Sequence, residues 1–190
     1  MSWIVFMLLF AYWATRSVLW VRGQVRLVQL RGTLPVRPAR RPAPAHLSAG
    51  LGGLLVRGYD ERVALVESTR TIAEVLITDP DVPLGCVRDF RYRMALARAW
   101  SAACGWMRAV ESLAEEDRGQ LERLGYTPAT FREQHAWLDQ RVRSTVRAPA
   151  LEPFEVAAVQ TVRQMVDAMI HELERLEHTL IDTAASPYRS

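Results

Sequence analysis

"SWIVFMLLFAYWATRSVLWVRGQVRLVQLRG", residues 2–32, begins as an unbroken apolar run and ends as a ladder of arginines. Trp3 to Val21 is a 19-residue stretch with one charge, Arg16. A helix needs roughly 17 to 25 apolar residues to cross a bilayer. Trp3 and Trp20 would stand about 26 Å apart on it, near the two interfaces that tryptophan favours. Arg22, Arg26, Arg31, Arg37, Arg40 and Arg41 all follow the apolar run, and no charged side chain precedes it. The positive-inside rule then sets the N-terminus outside and the rest in the cytoplasm. Arg16, near one end, snorkels toward that surface. The expectation is a single-pass anchor in a bacterial inner membrane.

Two other readings compete. A cleaved signal peptide carries its positive charge before the apolar core and a small-residue site just after it. Here the arginines come after, and the first A-x-A, Ala43-Pro44-Ala45, lies too far downstream. An interfacial helix is the stronger rival, because the purely apolar run is only Trp3 to Ala14. Tyr12 and Trp13 fall at mid-membrane, where they pack against another membrane helix or a flat cofactor held by a partner, or serve as apolar filler.

Charge follows the same division. Residues 1–59 hold eight arginines and no acid, while the remaining sixteen arginines face all 21 acids. The basic balance thus belongs to the N-terminal third and suits anionic lipid headgroups or an acidic partner. The chain has neither Lys nor Asn, whose codons both begin AA, which points to a GC-rich bacterial genome. Without Lys there is no Schiff-base chemistry and no phosphate loop ending in G-K-[ST].

Residues 31–46, "RGTLPVRPARRPAPAH", carry four prolines and four arginines, and read as an extended arm. "LSAGLGGLLVRG", residues 47–58, reads as a flexible hinge. From Tyr59 onward the pattern is helical. One helix covers residues 60–79 and a long second one 82–125, with Val87, Phe90, Met94, Ala97, Trp100, Cys104, Met107 and Val110 as its inward stripe. Thr127 and Pro128 open a third, with Phe131, His135, Leu138, Val142 and Val146 on one face. The last covers residues 153–185, with a heptad seam of Val159, Val162, Val166, Met169, Leu173, Leu176 and Leu180. The expected fold is all-α: anchor and juxtamembrane helix (1–30), basic linker (31–58), and a four-helix bundle-like cytoplasmic domain (59–190). The last seam serves either this bundle or a partner chain.

Candidate chemistry is sparse. Asp167, His171, Glu174 and His178 form one stripe, with His171, Glu174 and His178 as weak metal candidates. The stripe lies away from the heptad seam, and residue 175 is Arg, which breaks H-E-x-x-H. Cys86 and Cys104 sit too far apart along one helix to bridge, and read as structural. His135 reads as a hydrogen-bonded inward histidine. "RDFRYRMALAR", residues 88–98, has the makings of a nucleic-acid strip, but the acids Glu111 to Asp117 offer partners and the domain is net negative, so no nucleic acid is expected.

The function expected is that of a non-catalytic, cofactor-free accessory or assembly subunit of a larger bacterial membrane complex, photosynthetic or respiratory. Its partners are integral-membrane subunits and anionic headgroups. The contact residues are Trp3, Tyr12, Trp13, Arg16, Trp20, Arg22, Arg26, Arg37, Arg40 and Arg41. The alternatives are a tethered scaffold recruiting a soluble helical partner through the last seam, and a metal-dependent bundle enzyme.

Overall fold

The computed structural model describes residues 2–45, 47–77, 86–147 and 156–185, and all secondary structure among them is helical. The elements are α1 (Ser2–Thr33), α2 (Ala49–Ile77), α3 (Cys86–Glu111), α4 (Glu115–Arg123), α5 (Ala129–Arg147) and α6 (Val156–Ala185). The all-α class and the bundle therefore hold. Among the described residues no helix is long and apolar enough to cross a membrane. The span expected from Trp3 to Val21 is corrected accordingly. Its uninterrupted apolar run closes at Ala14, and twelve helical residues rise only about 18 Å against a hydrocarbon core of about 30 Å.

α2 is the hub. α3 packs antiparallel to it, and two surface ion pairs and one buried contact mark the register: Arg91 to Glu74, Arg98 to Glu67, and the Trp106 ring over Gly58. α6 also runs antiparallel to α2, with Arg62 against Glu177 near one end and Thr69 beside Asp167 nearer the other. α5 closes the other side of α3 and touches α6. All seven residues of the expected heptad seam are buried in this core. The seam is thus an internal surface of the chain.

α2 begins at Ala49, so it takes in the glycine stretch that reads as a hinge. A glycine inside a helix costs about 1 kcal/mol relative to Ala, and close packing offsets it here. A Cβ on Gly50 would collide with the Asp117 carboxylate, and one on Gly58 would crowd Trp106. Ser48 supplies the start: its hydroxyl accepts from Leu51 N–H at 3.1 Å and donates to Asp117 Oδ1 at 2.6 Å.

The long second helix is two helices. α3 ends at Glu111, the chain turns through buried Leu113, and α4 restarts with Glu115, Glu116 and Asp117 in its first turn, where acids favour the helix dipole. α4 ends on Gly125 at φ 78°. Tyr126 N–H donates to Leu121 C=O at 3.0 Å and Gly125 N–H to Glu122 C=O at 2.9 Å, the paired bonds of a Schellman cap.

The inward face of α3 also differs from expectation. Tyr92, Ala95, Leu96, Ala99, Ala102, Ala103 and Trp106 are buried, while Phe90 is 62% and Met94 50% exposed. Four alanines on this face allow α2 and α3 to approach closely, with Tyr92, Leu96 and Trp106 filling the space between them; of the expected stripe, Val110 is buried and Trp100 and Met107 pack against the core.

Candidate functional site

The first half of α1, Trp3 to Ala14, is apolar on every side. Trp3 is 75% exposed, Phe10 66%, and the residues between them are all exposed, as are Tyr12 and Trp13. A helix hydrophobic all round belongs inside an apolar surrounding, which this chain's own core does not provide. Thr15 and Arg16 are turned back on the helix. Thr15 Oγ1 donates to Ala11 C=O at 2.8 Å. Arg16 Nη1 donates to the Tyr12 hydroxyl at 2.8 Å, and its guanidinium carbon sits 5.9 Å from that ring's centre. Helical side chains lean toward the N-terminus, so Arg16 points back along the apolar half, the opposite sense from the expected snorkel. The side chains of Trp20, Arg22 and Arg26 lie outside the described residues.

The arm lies along the domain. Pro35 C=O accepts from Arg70 Nε at 3.2 Å and Nη2 at 3.1 Å. Arg40 sits over the Tyr59 ring at 5.9 Å, and Arg41 reaches Glu177 at 3.8 Å, alongside the buried Arg62–Glu177 pair at 2.7 Å. Ala43 stands against Gly52. Arg37 is exposed. At the polyproline rise of about 3.1 Å per residue, Pro35 to Ala43 covers about 25 Å. The helical rise from Gly52 to Arg70 is about 27 Å, so the two lengths match.

The α6 stripe is tied to its own helix. His171 Nδ1 lies 2.8 Å from Asp167 C=O, and His178 Nδ1 2.7 Å from Glu174 C=O. Asp167 turns toward α2, and burial holds its carboxyl above the usual range, with Arg163 offsetting part of this. Among the described residues no group of three or more His, Cys, Asp or Glu could hold a metal.

Inside the bundle, Trp106 Nε1 donates to the Tyr126 hydroxyl at 2.8 Å, and the rings meet edge to face at 6.3 Å. Burial pushes the Tyr126 phenol up to about 12. The gap between these rings and Phe131 is about 10 Å³, far below the roughly 300–1,000 Å³ of a ligand pocket. Burial also raises Glu61, which Arg57 contacts at 2.6 Å, and Glu172.

One cluster was not legible as such in the sequence. Cys104 Sγ on α3 and His135 Nε2 on α5 stand 3.0 Å apart. Arg108, one turn on from the thiol, hydrogen-bonds to it, and Asp139, one turn on from the imidazole, adds negative charge. Partial burial raises the thiol, and Arg108 works against that rise. The clue was present: both Cys104 and His135 fall on apolar stripes of helices that must meet. Comparison with known proteins finds no family model, no curated protein and no solved structure that matches this chain.

Proposed function

We propose that this protein is a non-catalytic accessory or assembly subunit of a larger bacterial membrane complex. In this reading α1 embeds in the membrane beside the transmembrane helices of integral-membrane subunits, and the helical domain covers the complex from the cytoplasmic side. The supporting observation is the surface of α1, where large apolar side chains from Trp3 to Trp13 stand exposed around the whole helix. That all-round distribution suits lipid tails and neighbouring helices better than a flat interfacial seat, which calls for one polar face. Trp3, Tyr12, Trp13 and Trp20 are the lipid or helix contacts proposed. Arg22, Arg26 and Arg37 meet anionic headgroups, while Arg40 and Arg41 also hold the arm to the domain. Photosynthetic or respiratory membranes are the setting proposed for the complex.

The test is extraction of the native membrane in mild detergent, followed by gel filtration and mass spectrometry of the fraction that contains this chain. Co-elution at fixed stoichiometry with integral-membrane subunits is expected. Recovery in the aqueous fraction, or elution as a lone small species, would overturn the reading.

A further inference from the structure

From the Cys104–His135 pair we infer that Cys104 is a site of reversible S-thiolation, at which the thiol exchanges with small disulfides bearing carboxylates. The inference stands apart from the membrane reading. A nucleophile in hydrogen-bond reach of a base is the arrangement that activates a thiol. Here the base comes from a different helix, held by the α3–α5 packing, with Phe131 and Leu138 buried on either side of His135. The thiol is half-buried, so a small reagent reaches it and a protein surface does not.

His135 Nε2 accepts the proton from Sγ. The thiolate attacks one sulfur of the disulfide, whose S–S bond breaks as the new one to Cys104 forms. The departing thiolate takes the proton from His135 and leaves as a free thiol. Cys104 is oxidised and the reagent reduced, and protein thiol plus disulfide gives mixed disulfide plus thiol. Arg108 has two uses here. It stabilises the thiolate, and it offers a guanidinium to the carboxylate of the incoming group.

The charged groups acting on the thiol are Arg108 and Asp139. From α2 the Arg57–Glu61 pair reaches the neighbouring Gly105, and from α6 Glu172 and Arg175 act on Tyr126 instead. Burial alone would leave the thiol largely protonated at neutral pH, so exchange there depends on the imidazole.

The full-length chain carrying Cys86→Ser, in detergent, is exposed to oxidised glutathione between pH 6 and 9, and adduct formation is followed by intact-mass spectrometry. One glutathione adduct is expected on the folded protein at pH 7. His135→Phe should slow that rate at least tenfold and move its rise to higher pH. His135→Gln, which keeps a polar group there, should do the same if the fold tolerates it better. Arg108→Gln should slow glutathione several-fold more than it slows the uncharged hydroxyethyl disulfide. In denaturant all variants should react alike. Absence of any adduct on the folded wild-type protein overturns the inference. So does an unchanged profile in the His135 variants, which would leave the pair as a structural hydrogen bond.

Discussion

α1 and α6 are nearly the same length, 32 and 30 residues, and both carry long apolar content. Their fates are opposite. In α6 the apolar residues recur on one seam and all seven are buried against the chain's own helices. In α1 those from Trp3 to Trp13 surround the axis and remain exposed. Directionality, more than hydrophobic content, decides whether a helix finds its partner inside the fold or must find it elsewhere.

That contrast can be broken most sharply by truncation. Met169→Ala, at a fully buried seam position, should cost about 2–5 kcal/mol in denaturant unfolding. Leu8→Ala in α1 should change the same quantity by less than about 0.5 kcal/mol. Equal losses would mean that α1 belongs to the core after all.

A second, smaller effect sharpens the account of the α2–α3 contact. Gly105→Ala places a methyl against the Glu61 carboxyl and Arg57, and should cost about 1–3 kcal/mol. Gly53→Ala, on α2 with open space around it, should be neutral or stabilising by up to about 1 kcal/mol. A neutral Gly105→Ala in thermal melts would mean that α2 and α3 are looser than described.

The smallest effect concerns charge on α6. Burial lifts the Glu172 carboxyl above its unfolded value, so the native chain holds that proton more tightly. Stability from this group is therefore highest below the unfolded carboxylate range and declines as pH rises through the folded value. Glu172→Gln should raise Tm slightly at pH 7 and give no advantage near pH 4. A lower Tm at pH 7 would show that the charged form has an unnoticed partner.

How far the sequence was readable follows from the same physics. The α6 seam and the Phe131–Leu138 face of α5 were legible because a regular stripe of branched and aromatic residues admits one inward direction. α3 was read only in part: Val110 of the expected stripe is buried, but Phe90 and Met94 at its start are exposed, and Tyr92, Ala95, Leu96, Ala99, Ala103 and Trp106 make the inward face instead. The glycines of residues 47–58 resemble a hinge until Asp117 and Trp106, far along the chain, are seen to need the space above Gly50 and Gly58. Cys104 and His135 were each placed on an inward face, yet no local pattern sets the register between two helices, and so their meeting stayed hidden.

The arm that lies along α2 has a mechanical consequence. Between Thr33 and Ala49 the chain is fastened by Arg70 at Pro35, by Tyr59 at Arg40 and by Glu177 at Arg41. A loose tether of this length would let the bundle swing freely and would damp any pull from α1. Fastened at three points, it carries a load on α1 to the middle of α2 and the far half of α6. A displacement of the N-terminal helix is thus passed along the arm toward the core.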